Sequence, residues 1–184
     1  MLRKPFNALS WRITCLGLLA LLTFSCGDSG EVSIYSIPKA KAKSQGPHWE
    51  VPEGWKPGKE SAMRVGSFSV SDDNGSSLDI SVTAFPGDTG GLLANVNRWL
   101  AQIDLQPVDE GDLENYVTET EVDNTPAHLV QAENDGKALR VLAVTVHDKT
   151  WFFKMMGDFK LAEKERDTFD KFVHSTDFHF GHNH

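Results

Sequence analysis

Residues 91–104 hold the densest group of side chains with recognition chemistry in the chain: Asn95, Asn97, Arg98 and Gln102 follow directly on the pair Gly90-Gly91. An arginine fork with three amides can read a carboxylate, a phosphate or a partner loop. Glycines ahead of a helix bare its first backbone N–H groups, which favours an anion there. A structural use is open to the same residues. Asn95 and Arg98 can bond carbonyls of the turn at 87–91, and the glycines can let the chain turn sharply and pack closely against a sheet. Asn is a poor helix former, so helix formation alone accounts for neither use. His128 and His147 could approach Arg98 in space as a base, although each also reads as an ordinary surface or core residue. His179, His182 and His184 could converge on zinc or copper, but nothing fixes them on a scaffold. Asp109, Glu110, Asp112 and Glu114 crowd one loop and read as solvated charge. The chain contains no Gly-x-Ser-x-Gly, His-Glu-x-x-His, Cys-x-x-Cys or phosphate-loop sequence, and nothing in its residues calls for a cofactor.

Around these residues, Leu92, Val96, Trp99, Leu100 and Ile103 recur at helical spacing. That stripe predicts a helix over 91–104, capped by Asp88 or Thr89, with Asn95, Arg98 and Gln102 on another face and Asn97 flanking it. Strand-like segments at 63–70 and 78–85 flank the turn residues Asp72-Asp73-Asn74-Gly75. Four more strands, at 116–122, 127–133, 138–147 and 150–157, follow an acidic loop at 107–115. Asn134-Asp135-Gly136 and His147-Asp148-Lys149 supply tight turns, so the strands run antiparallel. Residues 139–146 are apolar at nearly every position, which implies a sheet covered on both faces. A second helix at 161–174 sets Phe169, Phe172 and Val173 on one side. Trp49 and Trp55 flank a bend in which Pro52 suits the second position and Gly54 the last, and both rings are expected in the core. The reading is α+β: an α-β-α sandwich with a central antiparallel sheet, in a single domain at 48–178 followed by a His-rich tail at 179–184.

The first 25 residues read as an export signal. Arg3, Lys4 and Arg12 precede an apolar run at 15–24 that is too short to span a bilayer. It ends Leu22-Thr23-Phe24-Ser25-Cys26-Gly27, which resembles the lipobox of bacterial lipoproteins. That resemblance implies cleavage before Cys26, diacylglycerol on its sulfur and a further acyl chain such as palmitate on its amine. It also implies a lipid anchor in the bacterial cell envelope, with the domain outside the cytoplasm. Cysteine usage agrees: of two cysteines, Cys15 lies in the removed run, which leaves Cys26 a lone thiol in an oxidising compartment. Two or three acyl chains anchor stably where one is marginal. Residues 27–47 read as a tether with a root-mean-square reach of about 25 Å. The formal charge of −8 becomes −11 once Arg3, Lys4 and Arg12 are removed, the wrong sign for nucleic acid.

The order β-β-α-β-β-β-β-α, the opening Trp…Pro-x-Gly-Trp, the strand ending Phe-Phe-Lys-Met-Met-Gly and the final Phe-x-x-Phe-Val-x-Ser together resemble the PsbP/Mog1-like sandwich over about residues 48–178. The segment Gly-Gly-Leu-Leu-Ala-Asn-Val-Asn-Arg-Trp is similar to a signature in bacterial membrane-associated proteins of unassigned role, which carries Arg at the position of Leu100. Proteins with this sandwich are mainly binding or assembly factors, so the resemblance implies a non-enzymatic body that binds a protein or a small ligand through Gly90, Gly91, Asn95, Asn97, Arg98 and Gln102. The alternative from the residues is a small hydrolase or transferase using the same helix face, which would need a base or nucleophile beside Arg98.

Overall fold

The computed structural model describes residues 47–178, all within the second of two units into which the chain divides, Lys41–His184. The apolar leader, Cys26, the tether up to residue 46, and His179, His182 and His184 lie outside the described residues. The strands are β1 (Lys56–Pro57), β2 (Arg64–Ser71), β3 (Ser77–Pro86), β4 (Val117–Val122), β5 (Thr125–Asn134), β6 (Lys137–Val146) and β7 (Lys149–Asp158). They form one seven-stranded sheet in the order β1-β2-β3-β7-β6-β5-β4, antiparallel at every junction. Helix α1 (Leu92–Leu100) runs on into a 3-10 turn at Ala101–Ile103, and α2 (Phe159–His174) follows β7.

Local chemistry sets the hairpins. Asp123-Asn124, Asp135-Gly136 and His147-Asp148 all have positive φ, the geometry of two-residue turns whose twist matches that of the strands they join. Asn, Asp and Gly tolerate that region best. The bend at Pro52 closes one residue later than the sequence suggests. The Trp55 N–H donates to the Pro52 carbonyl at 3.3 Å, so Pro52 is first and Gly54 third, where a φ of +86° falls. The acidic stretch read as a loop contains a further 3-10 turn, Glu110–Asn115, entered through Asp109, whose carboxylate accepts from the Gly111 N–H.

Alternation along the strands divides the core. Leu142, Val144, Phe153 and Met155 pack with α2 residues Leu161, Phe169, Phe172 and Val173, and with Trp55 and Trp49. Their neighbours of opposite parity, Val141, Ala143 and Phe152, pack with Val96, Trp99, Leu100 and Ile103. Successive strand residues point to opposite faces, so α1 and α2 each bury one face of the central strands, as the apolar run at 139–146 requires. Phe172 lies at the centre of the α2 side, its ring 5.0 Å from Trp55, 5.5 Å from Phe68 and 6.0 Å from Trp49. The two ends of the described chain meet: His48 and Asp177 exchange backbone hydrogen bonds of 3.0 and 2.7 Å.

Candidate functional site

Helix α1 begins without a side-chain cap. The N-cap position is Gly91 at φ +70°, and Gly90 precedes it at +84°. Thr89, expected as a cap, instead donates to the Pro86 carbonyl, and Asp88 does not cap the helix. The glycines are needed for these backbone angles and not for close packing, because a Cβ at Gly91 would meet nothing within 4 Å. Asn95 secures the entry. Its side chain is only 4% exposed, and its amide donates to the Thr89 carbonyl at 2.7 Å and the Gly91 carbonyl at 2.8 Å. Arg98 reaches the turn only through Asn95, by donating to its Oδ1.

Asn97 closes the other end of the segment. Its amide nitrogen donates to the Val108 carbonyl at 2.9 Å while its oxygen accepts from the Val108 N–H at 2.8 Å. This reciprocal pair ties the chain beyond the 3-10 turn back to α1. Arg98 and Gln102 are exposed. The Arg98 guanidinium lies 5.8 Å from the Trp99 ring centre, and Gln102 accepts from Lys154 at 2.6 Å. The six residues grouped by sequence therefore divide: Gly90, Gly91, Asn95 and Asn97 shape the segment, whereas Arg98 and Gln102 present polar atoms outward.

Beneath the start of α1 is a cavity of about 340 Å³. Trp99 and Phe152, which meet edge to face with centroids 5.3 Å apart, form its apolar wall. Asp88, Asn95, His128, Thr145 and Thr150 supply its polar groups. Thr150 donates to the Gly87 carbonyl at 2.7 Å and lies 3.1 Å from the Thr145 hydroxyl, so both threonines are partly engaged. His128 enters the cavity from β5, directly across from Ala143. Its Nδ1 is enclosed and has no hydrogen-bond partner among the described residues. His147 does not join it; that residue forms the β6–β7 turn at φ +51°.

Lys154 was not signalled as a site residue, although it is the one charge inside the run Trp151–Met156, a polar break in an otherwise apolar strand. Burial of the ammonium holds its pKa below the ordinary lysine value; the nearby cations Arg64 and Arg98 push the same way, and Asp79 opposes them. A second cavity, of about 350 Å³, has Tyr116, Arg140 and Arg166 in its wall. Its cations are already neutralised, Arg140 by a bidentate contact to Asp170 at 2.6 and 2.9 Å and Arg166 by Glu163 and Asp167. Among the described residues no three His, Cys, Asp or Glu side chains group as a metal site, and no helix is long and apolar enough to cross a membrane.

No protein-family model matches the chain, and no curated protein matches it. Among solved structures the chain is similar to cyanobacterial PsbP (CyanoP) from Synechocystis sp. PCC 6803, with 13% identity, a TM-score of 0.47, and coverage of 74% of this chain and 89% of that one. It is also similar to a protein from Bacteroides thetaiotaomicron, at 8% identity and a TM-score of 0.45 over 75% of this chain, which spans about half (47%) of that protein. A third is PA94 of Pseudomonas aeruginosa, a protein of unknown function, at 10% identity, a TM-score of 0.41, and coverage of 71% and 95%.

Proposed function

We propose that the chain is a lipid-anchored, non-enzymatic binding module of the α-β-α sandwich kind, held to the bacterial envelope through Cys26, and that it takes a small ligand in the cavity beneath α1. The observation that carries the reading is the cavity of about 340 Å³, whose wall sets two aromatic rings beside His128, a residue whose Nδ1 is enclosed and lacks a partner among the described residues. Unsatisfied enclosed groups are uncommon and call for a partner. A ligand with one polar group and an apolar body fits that wall. Catalysis is served less well, because the hydroxyls of Thr145 and Thr150 are directed to each other and to Gly87, and neither bonds His128.

Native mass spectrometry of the detergent-extracted protein tests the pocket. The wild type should carry a co-purifying small molecule that Ala143→Leu, which fills the cavity, has lost while melting normally. The absence of any bound mass in the wild type, with turnover of an ester or phosphoester that vanishes in His128→Ala, would overturn the reading in favour of an enzyme. The anchor is tested separately. Cys26→Ser should release the chain from membranes or leave an uncleaved precursor, and an unmodified Cys26 in the mature chain defeats that part.

A further inference from the structure

On the α1 side of the sheet, Arg98 and Lys154 are cations without a carboxylate partner among the described residues. On that side the ion pairs engage Arg64 and Lys137 instead, whereas those of Arg140 and Arg166 lie with α2. Lys154 is half-buried and held by the neutral Gln102 Oε1 at 2.6 Å, and Arg98 is held by the neutral Asn95 Oδ1. Amide dipoles fix the two cations in place without cancelling their charge. Opposite Lys154 on β3 is Ser81, whose hydroxyl-bearing side chain is 3% exposed and shares its face of the sheet. Arg64 lies within electrostatic reach of Lys154, but its fork is closed on Asp79 by two 2.7 Å bonds. Asp79 is thereby bonded to Arg64 and attracts Lys154 without a direct contact. In a chain with 26 acidic and 18 basic residues, a half-buried ammonium and an exposed guanidinium, neither in contact with a carboxylate, make a positive spot that favours an anion.

We propose that Arg98, Lys154 and the Gln102 amide form a recognition site for a phosphate-type oxyanion. The inference rests on the reading of the chain as a binding module, and its residues lie outside the cavity lining. A guanidinium fork and an ammonium, with the one Gln102 N–H not donated to the Arg98 carbonyl, offer donors from several directions, which suits a tetrahedral group of roughly −1.5 to −2 charge better than a planar carboxylate.

Melting of the intact chain in detergent is compared in inorganic phosphate, in soluble short-chain phosphatidic acid, and in chloride or acetate at matched ionic strength. The wild type is expected to gain several degrees from a phosphate and nothing from chloride or acetate. Gains from both phosphates assign the bare group, and a gain from phosphatidic acid alone assigns a lipid headgroup. Arg98→Gln and Lys154→Gln should each weaken phosphate affinity about tenfold by calorimetry. Gln102→Glu provides a check that does not depend on losing a cation: it supplies Lys154 with a carboxylate at an exposed position and should abolish the phosphate response in a folded protein. Ala143→Leu should keep the response, which separates this site from the pocket. The proposal is overturned by an equal gain in chloride or acetate, by no gain from either phosphate, or by a phosphate gain that persists in Gln102→Glu.

Discussion

The α2 face and the α1 face of the sheet are made by the same strands and differ in what closes them. On the α2 face a 16-residue helix lays Phe169, Phe172 and Val173 onto Phe153 and Met155, and Trp49, Trp55 and Phe68 fill the remaining space. On the α1 face a helix of 9 residues and two 3-10 turns cover β5, β6 and part of β7. Toward β2 and β3 that face carries Ser67, Asp79, Ser81, Arg64 and Lys154 in place of apolar side chains. One face is spent on cohesion. The short helix of the other leaves polar atoms and a cavity within reach of a ligand, which is where recognition chemistry can be accommodated without opening the core.

If that division holds, truncations should rank by face. Phe172→Ala should cost about 3–5 kcal/mol, the largest effect, because its ring is 1% exposed and touches four other aromatics. Trp99→Ala should fall at the lower end of that range, since one side of its ring already borders a cavity. Denaturant titration of both variants checks the order, and a larger loss at Trp99 would invert the ranking. Asn95→Ala should follow, at about 1–3 kcal/mol, because the Thr89 and Gly91 carbonyls lose a donor in a part-buried place. Amide exchange should then accelerate at 89–94 and remain slow in α2. Loss of protection in both helices would mean that the two faces are one cooperative unit.

Of the same order is Gly91→Ala, about 1–3 kcal/mol from the backbone alone, since φ +70° with ψ 163° is a region open essentially to glycine while a methyl group there meets no atom within 4 Å. The smallest change should have the opposite sign. Burial holds the Lys154 pKa below its ordinary 10.5, so at neutral pH the folded state carries a desolvated charge. Between the lowered folded pKa and 10.5 the unfolded chain binds the extra proton, and wild-type stability from this group therefore rises with pH across that window. Lys154→Met should thus be modestly more stable than wild type near pH 7, with an advantage that shrinks as pH climbs toward 10.5. An advantage that is constant with pH would assign the effect to packing.

Strand and helix periodicity carried most of the architecture. The stripe from Leu92 to Ile103, the dense apolar run at 139–146 and the Asx-Gly turns each report a local rule that tertiary structure did not override. What escaped was short or long-range. β1 is two residues long and contains Pro57, so it has no period to detect, and Glu110–Asn115 offers Leu113 alone as an apolar signal. At the start of α1, Asp88 and Thr89 are good caps by type, yet consecutive positive φ angles at Gly90 and Gly91 place the N-cap beyond them. The bonds from Asn95 to the turn were legible because they span six residues or fewer. The partnership of Gln102 with Lys154 spans 52 residues and depends on strand register, which no local pattern encodes.

The antiparallel bridge between His48 and Asp177 also fixes how the domain bears load. A pull applied at residue 48 reaches a position stitched to the last strand-like residue of the domain, so the force enters and could leave through a single point instead of running the length of the sheet. For an engineer the same closeness of ends invites a circular permutant, with 178 joined to 47 by a few residues and new termini cut at the exposed Asn74-Gly75 turn, free to carry cargo away from the ligand-facing side.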